Sequence, residues 1–267
     1  MEVYNKETIS QILVTNWLGK EIIYKDTIGS TNDYTKEKAL NGAKQGLLVV
    51  ADSQTSGKGS RKRAWLSPPQ TGIWMSFLLR PNFKIIKIPE ISMLIAYCIA
   101  KLLRENYDIP AMIKWPNDIV LNGKKIAGIL TETGVDKDNV QYVVTGTGIN
   151  INMEQFTDEL KDIATSILIE CGHKFSRTEL LTAIINQIEK EYDEYLNVNS
   201  LKNIYTSYNN MLVHRETEVR IIKGDKEITA ITLGINEHGE LLVQYEDGKI
   251  GNLIVGEISI RGTNNYV

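Results

Sequence analysis

Residues 114–118 read Lys-Trp-Pro-Asn-Asp, which places a cation, an aromatic ring, a rigid proline and two oxygen-bearing side chains within five positions. Pro116 has no backbone N–H to donate, so the segment is predicted to lie where a strand ends or bends rather than in mid-sheet. A lysine held by such a stiff frame is suited to meet an anion. Taken alone, however, the segment is more typical of a surface lysine beside a buried tryptophan, so the neighbouring motifs have to decide.

The basic loop, residues 58–63, contains four basic residues in six and is flanked by Gly57 and Trp65. Flexible backbone and concentrated positive charge suit a phosphate-bearing ligand. The loop is not a P-loop, because Asp52 stands where the leading glycine of that motif belongs. It does not match the dinucleotide-binding GxGxxG pattern either, because Lys62 occupies the position of the last glycine. The alternative that stays open is a solvated basic loop that contacts nucleic acid.

Two further stretches offer polar groups for a ligand. Residues 30–33 (Ser-Thr-Asn-Asp) are helix N-cap types, and because one of them is enough to cap a helix, the others are available to a polar ligand. Residues 146–152 contain two glycines and two asparagines after a predicted strand at 140–145. Ile151 stands where a dinucleotide loop needs its third glycine, yet the stretch permits close backbone approach and amide recognition of a base edge.

The hydrophobic pattern predicts both helices and strands. Asn122-Gly123 is a strong hairpin signal, because both residues tolerate a positive φ, and it joins strand-like runs at 118–121 and 125–130. Apolar residues at i, i+3, i+4 and i+7 predict a long helix from Pro89, whose stripe belongs to the core. Further predicted elements are strands at 22–24, 47–51 and 72–79, a helix ending near 40, a helix opened by the capping box at 176–179, and short strands between 216 and 261 with turns at 224–225, 237–239 and 247–248.

Length and composition bound the class of protein. The 267 residues allow one large domain with a small appendage, and we predict a first domain over residues 1–214 and a small β domain over residues 215–267. A net charge of −3 is too mild for a general nucleic-acid binder. The two cysteines lack metal or redox spacing, and neither a signal peptide nor a run of ~18 apolar residues occurs. A cytoplasmic protein that contacts no membrane is expected.

In their order and spacing these motifs resemble one family, the biotin–protein ligases. The resemblance covers residues 22–262 and is carried by the segments at 29–32, 54–59 with Arg63 and Trp65, 114–118, 125–130, 146–150 and 256–261. It implies an α+β fold with a mixed, largely antiparallel sheet and flanking helices, of the class II synthetase-like type that biotin and lipoate ligases share. A small C-terminal SH3-like β-barrel should follow this catalytic, biotin- and ATP-binding domain.

The resemblance also implies an enzyme that couples two reactions. The carboxylate of biotin attacks the α-phosphate of ATP to give biotinyl-5′-adenylate and pyrophosphate. A lysine of a biotin carboxyl carrier protein then attacks the mixed anhydride. ATP and biotin are the expected substrates and Mg²⁺ the expected assisting ion, with no metal ligand assigned among the side chains. Homodimers occur in the family.

The roles implied for individual residues follow this chemistry. Lys114 neutralises the two anions that must meet and Asp118 orients the acceptor lysine, which makes these two the catalytic candidates. The biotin-binding candidates are Ser30, Thr31, Asn32, Gln54, Gly57, Lys58, Gly59, Ser60, Lys114, Ala127 and Gly128. The ATP- and adenylate-binding candidates are Lys58, Arg61, Arg63, Trp65 (stacked on adenine), Lys114, Asn150 (at the adenine edge) and Arg261.

Two other functions are possible for parts of this sequence, and one domain found in some relatives is not expected in it. A lipoate–protein ligase would share the fold, but its Arg-Arg…Gly-Gly-Gly…His-Asp pattern is not found in the sequence. A non-catalytic nucleic-acid-binding protein would use the basic loop with the C-terminal β domain, against which the net charge and the acidic run at 237–247 argue. Some relatives carry an N-terminal helix-turn-helix that binds DNA. Because 29 residues precede Ser30, we expect the monofunctional form that lacks this domain and binds no DNA.

The basic loop departs from the family pattern Gly-Arg-Gly-Arg-x-Gly-Arg at three positions. Lys58 and Ser60 replace the first two arginines, and Lys62 replaces the last glycine. Lysine is a point charge that lacks the bidentate fork of arginine. In the family this loop folds over the adenylate and shields it from water, so we expect weaker retention of the adenylate here, partly offset by Arg61 and Lys62.

Ser60→Arg is therefore expected to slow the release of preformed biotinyl-adenylate severalfold, because it restores a charge-assisted contact to the phosphate. The measurement is the dissociation rate of the isolated enzyme–adenylate complex. A release rate that Ser60→Arg leaves unchanged would contradict the expectation.

Overall fold

The computed structural model describes residues 3–137, 139–255 and 258–262, which form two β-sheets with helices packed against them. The helices are α1 (Lys6–Ile12), α2 (Thr31–Leu40), α3 (Ile88–Tyr107), α4 (Ile167–Cys171), α5 (Arg177–Val198) and α6 (Tyr205–Met211). The strands are β1 (Ile22–Ile28), β2 (Leu48–Gln54), β3 (Gly72–Leu79), β4 (Met112–Lys114), β5 (Asp118–Leu121), β6 (Lys124–Asp136), β7 (Asn139–Asn150), β8 (Glu218–Lys223), β9 (Lys226–Ile235), β10 (Leu241–Tyr245), β11 (Ile250–Leu253) and β12 (Ile258–Gly262).

The larger sheet has seven strands in the order β1-β2-β3-β7-β6-β5-β4. Only the β1–β2 pair is parallel among the described strands, so the predicted α+β fold with a mixed, largely antiparallel sheet is confirmed. Every residue of the central strand β3 is buried. Helices α3 and α5 pack against one face of the sheet, and α2 packs against the other.

The hairpin between β5 and β6 forms as the sequence predicts. Asn122 and Gly123 have φ values of 49° and 78°, and Leu121 pairs with Lys124 across the turn. This register aligns Lys114 at the end of β4 with Asp118 at the start of β5. The intervening residues 115–117 form a turn outside the strands, which confirms that the proline-containing segment interrupts the sheet.

The C-terminal part of the chain forms an antiparallel five-stranded sheet in the order β11-β10-β9-β8-β12. Its predicted turns are present, with Gly224, Gly239 and Gly248 at positive φ. Trp115 Nε1–H donates to Gly239 O at 3.1 Å and joins the two parts beside the 114–118 segment. Just before the predicted division, Val213 N–H donates to Ile113 O at 2.9 Å. The division at residue 214 stays a prediction, and residues 256–257 and 263–267 lie outside the described residues.

Two strands extend beyond their predicted ends. Strand β6 continues to Asp136 instead of residue 130, and β7 continues to Asn150 instead of Thr145. Gly146 and Gly148 are paired within the sheet, opposite Ser76 and Trp74 of β3. Glycine weakens a strand on its own, but here the two central neighbours β3 and β6 hold β7 in place. The described part of the chain contains no helix that is both long and apolar enough to cross a membrane.

Candidate active site

A cavity of about 430 Å³ lies on the face of the larger sheet that α2 covers. Part of this volume is open to solvent, so the cavity is a cleft and not an enclosed chamber. Strands β3, β7, β6 and β5 cross beneath it, and the start of α2 and the basic loop border it. The residues that line it are Ser30, Thr31, Asn32, Gln54, Lys58, Gly59, Ser60, Trp65, Met75, Asn117, Asp118, Lys125, Gly128, Ile129, Leu130, Gly146, Thr147 and Gly148.

Uncharged polar groups gather where β2 meets the start of α2. Ser30 is the N-cap of α2, and its Oγ accepts a bond from the Asp33 N–H at 3.4 Å. The N–H and the hydroxyl of Thr31 lie 2.8 and 3.1 Å from Gln54 Oε1. Gln54 Nε2 donates in turn to Ser67 Oγ at 2.9 Å. These contacts fix the donors and acceptors at this end of the cavity.

Asn32 is held from both ends of its side-chain amide. Its Nδ2 donates to Leu130 O at 3.2 Å and to Glu132 Oε2 at 2.9 Å, while Oδ1 lies 2.6 Å from Ser76 Oγ. Glu132 also pairs with Lys36 at 2.7 Å. With its polar atoms committed to the protein and only 4% of its surface exposed, Asn32 supports the wall of the cavity more than it offers groups to a ligand.

A strip without side chains crosses the middle of the cavity. This glycine strip consists of Gly128 on β6 and of Gly146 and Gly148 on β7. A Cβ on Gly148 would lie 2.4 Å from Trp65 Nε1, and one on Gly146 would lie 1.9 Å from Asn32 Oδ1. Any larger residue would therefore displace the side chains that pack against the strip. The ring of Trp65 rests on it, and Trp65 Nε1 has no hydrogen-bond partner among the described residues.

Charged groups gather at the opposite end of the cavity, where β4, β5 and β6 meet. Lys125 Nζ pairs with Asp118 Oδ1 at 2.6 Å and lies 5.1 Å from the centroid of the Trp65 ring. Lys114, the cross-strand neighbour of Asp118, is only 7% exposed. Burial lowers the pKa of Lys114 to about 8. Asp118 opposes this shift, whereas the nearby cations Lys125, Arg261 and Arg63 reinforce it.

The basic loop is anchored beside the cavity by polar contacts. Lys58 Nζ pairs with Asp33 of α2 at 2.6 Å, and Asn117 Nδ2 donates to Ser60 Oγ at 3.3 Å. Arg61 and Lys62 have φ values of 57° and 60°, a left-handed conformation that suits the glycine of the family pattern at residue 62 better than lysine. The departures at 58 and 60 thus take part in contacts that hold the loop in place.

The structure brings most of the sequence-predicted site residues together. Ten of them line the cavity: Ser30, Thr31, Asn32, Gln54, Lys58, Gly59, Ser60, Trp65, Asp118 and Gly128. Arg63 and Arg261 each lie close enough to Lys114 for their charges to lower its pKa. Ala127 is buried in the core instead, Gly57 packs against Trp65 O and Gln54 Nε2, Arg61 is exposed, and Asn150 Nδ2 donates to Thr165 O. Their roles stay predictions.

Sequence reasoning missed Lys125 and Ser76. Lys125 belongs to the quoted 125–130 segment, but only the order of the strands reveals that it faces Asp118 and Trp65. Ser76 reads as one more residue of an apolar strand, and no signal in the sequence distinguishes it. Among the described residues, no three His, Cys, Asp or Glu side chains are grouped in a way that could hold a metal ion.

Comparison with known families defines the class of this chain. Residues 24–150 match the Biotin/lipoate A/B protein ligase family, and residues 216–261 match the Biotin protein ligase C terminal domain. These matches place the chain among the ligases of the biotin and lipoate type.

The relatives narrow the class further. The Bifunctional ligase/repressor BirA of Bacillus spizizenii is 39% identical over 240 residues, which cover 88% of this chain and 73% of that protein. The structure of biotin protein ligase from Aquifex aeolicus in complex with biotin and ATP superposes with a TM-score of 0.80 at 30% identity, covering 91% of this chain and 100% of that one. That of Leishmania major biotin protein ligase in complex with biotinyl-5-AMP gives 0.56 at 25% identity, covering 88% and 98%. The chain belongs to the biotin protein ligase family. Of the three functions considered from the sequence, this membership supports the biotin ligase.

Gly146→Ala is expected to raise the KM for biotin more than tenfold. The new Cβ would displace the Asn32 amide from its position, and overpacking typically costs about 1–3 kcal/mol. Gly29→Ala is the matched control, since a Cβ at Gly29 meets nothing within 4 Å. Steady-state kinetics on both variants check the expectation, and equal KM values for the two would contradict it.

Proposed function

We propose that this enzyme activates biotin with ATP and transfers it to a protein. In the first step a carboxylate oxygen of biotin bonds to the α-phosphorus of ATP, and the bond to the β-phosphate bridging oxygen breaks, which gives biotinyl-5′-adenylate and pyrophosphate. In the second step the neutral ε-amine of a lysine on a biotin carboxyl carrier protein attacks the acyl carbon. AMP leaves, an amide forms, and the amine loses one proton to solvent or to a base.

The observation that carries the proposal is the arrangement of one cavity with an uncharged polar end and a charged end. Gln54 lies on β2 and Asp118 on β5, four strand spacings apart in the sheet, or about 19 Å at ~4.8 Å per spacing. A neutral cyclic urea fits the hydroxyl and amide groups at the first end. The aliphatic chain of biotin would cross the glycine strip, so that its carboxylate reaches the cations at the second end.

The charged end supports a reaction between two anions. A carboxylate and a phosphate repel each other, and preorganised cations lower the barrier by offsetting the charge that gathers as they meet. We assign this role to Lys114, with Lys125 as a second cation. Arg63 from the basic loop and Arg261 from β12 would hold phosphate oxygens, together with Lys58 and Arg61. Asp118, paired with Lys125, would orient the incoming acceptor amine.

From its packing we propose for Trp65 a role other than stacking on adenine. Its ring rests on the glycine strip, which favours contact with the aliphatic chain of biotin over stacking on adenine. Asn150 stays a candidate for the adenine edge, through the amide hydrogen and the carbonyl oxygen that its bond to Thr165 leaves available. Related structures support the choice of ligands, because the Aquifex aeolicus protein is in complex with biotin and ATP and the Leishmania major protein is in complex with biotinyl-5-AMP.

Mg²⁺ fits this site as the counterion of ATP. It commonly binds through substrate phosphates and one or two carboxylates, and Asp118 is the carboxylate that lines the cavity among the described residues. Bound there, Mg²⁺ would neutralise part of the triphosphate charge. Homodimer formation and the identity of the carrier protein stay predictions.

Exchange of radiolabelled pyrophosphate into ATP tests the first step. We expect exchange that requires biotin, is not supported by lipoate, and falls at least about a hundredfold in Lys114→Ala, because a preorganised charge at the reacting atoms is lost. Lys124→Ala is the matched control, since Lys124 bonds the carbonyl of Lys161 outside the cavity. Exchange with lipoate but not with biotin would show that lipoate is the substrate. Equal exchange in both variants would show that Lys114 takes no part in the reaction.

The pKa of Lys114 makes the first step pH-dependent. Burial lowers that pKa to about 8, so the ammonium form is present below pH 8 and is lost above it. The other groups that face Lys114 are Asp118, Lys125, Arg261 and Arg63, with His214, whose own pKa burial holds at about 4. We expect kcat/KM for adenylation to fall about tenfold per pH unit above ~8.

Lys114→Arg serves as the control for this pH profile, because a guanidinium stays charged throughout the accessible range. The variant should lose the decline above pH 8 even if its plateau rate is lower. Single-turnover adenylation without carrier protein is the measurement, since the acceptor lysine also titrates. A decline that persists unchanged in Lys114→Arg would assign the titration to another group.

A further inference from the structure

Ser76 lies on β3 beneath the uncharged end of the cavity and is fully buried. Its Oγ is 2.6 Å from Asn32 Oδ1 and 2.8 Å from Thr31 Oγ1. Both distances are those of normal O–H···O hydrogen bonds. Ser76 therefore links two side chains of the polar end while contributing nothing to the cavity wall itself.

The proton of the Ser76 hydroxyl can serve only one of these two partners. The amide of Asn32 is oriented by the bonds from Nδ2 to Leu130 O and Glu132 Oε2, so Oδ1 faces Ser76 and can only accept. Ser76 must then donate to Asn32. Two oxygens at 2.8 Å need a proton between them, so the hydroxyl of Thr31 donates to Ser76.

This direction decides what Thr31 offers to a ligand. Its one proton goes to Ser76, the nearer of its two oxygen neighbours, because Gln54 Oε1 already accepts from the Thr31 N–H at 2.8 Å. The Thr31 hydroxyl then presents only lone pairs to the cavity. Ser30 differs, because its Oγ accepts from the Asp33 N–H and its own proton is available to a ligand. The two adjacent hydroxyls thus form a donor beside an acceptor.

We infer that Ser76 is a positioning residue that sets the Thr31 hydroxyl as an obligate acceptor, and so makes the site specific for a ligand ring that carries an N–H beside a carbonyl. This inference rests on the proposed function, since the ureido group of biotin has that pattern. A dithiolane ring such as that of lipoate has no N–H, and it would leave the Thr31 acceptor buried and unpaired. Such unpaired polar groups are a strong basis for rejecting a substrate.

Ser76→Ala tests the inference in biotin-dependent pyrophosphate exchange. We expect the KM for biotin to rise roughly tenfold, the effect of losing one buried hydrogen bond, while kcat and the KM for ATP stay within about twofold. Ser92→Ala is the matched control, because Ser92 Oγ makes a partly buried hydrogen bond of 2.7 Å with Thr131 Oγ1, and neither residue lines the cavity. An unchanged KM for biotin in Ser76→Ala, or an equal rise in Ser92→Ala, overturns the inference.

Biotin analogues methylated at one or the other ureido nitrogen supply a readout that a merely structural role would not move. One of the two should bind the wild-type enzyme at least tenfold more weakly than biotin does, because its methyl group replaces the N–H that donates a hydrogen bond to the Thr31 hydroxyl. In Ser76→Ala that penalty should shrink to about threefold or less, because the Thr31 hydroxyl is free to turn. A penalty of the same size in both enzymes overturns the inference.

Two further results separate the possible failures. If Ser76→Ala does not fold, as judged by circular dichroism, Thr31→Val decides: it should weaken biotin roughly tenfold and abolish the penalty of the methylated analogue, and wild-type affinity in this variant overturns the inference. If exchange by the wild-type enzyme does not depend on biotin, the proposed function fails and the inference fails with it. Biotin-dependent exchange with no effect of Ser76→Ala overturns the inference alone.

Discussion

The burial of a charged lysine where the two sheets meet is the constraint on which the site depends. Removing an ammonium group from water is costly unless other groups compensate. Lys114 is compensated by Asp118 across the β4–β5 pair, and the surrounding backbone is fixed from the C-terminal side. Val213 bonds the carbonyl of the preceding residue, and Gly239 accepts the indole N–H of Trp115. The C-terminal sheet is thus part of the frame that holds the lysine.

The order of the strands converts this local frame into a directional site. Hydrogen-bonding groups without charge lie at the β2 side, and charged groups lie at the β5 and β6 side. A ligand with one neutral polar head and one anionic end can bind in only one orientation. In the proposed function, the reaction is assigned to the end that holds the cations and ligand recognition to the end that holds the hydroxyl and amide groups. Ligand recognition and charge compensation thus use different residues.

Local signals in the sequence predicted much of the fold and part of the site. The Asn122-Gly123 hairpin, the buried strand β3 and the turns of the C-terminal sheet follow from the conformational preferences of single residues and from hydrophobic period. The predicted end of β7 was five residues too early, because glycines weaken a strand and the sequence does not show that Asn32 and Trp65 pack against them. Lys125 and Ser76 were missed for the same reason: their roles come from partners that are distant in the sequence.

The glycine strip also limits how the binding specificity of this protein can change. Enlarging a pocket by substitution usually proceeds by shortening a side chain, but Gly128, Gly146 and Gly148 have none to shorten. On that side the cavity is already bounded by backbone, whose position the seven-stranded sheet sets. Space for a bulkier ring would have to be made on the covering side of the cavity, at Trp65 or in the basic loop. The size of ligand that the cavity can accept is therefore tied to Trp65 and the basic loop.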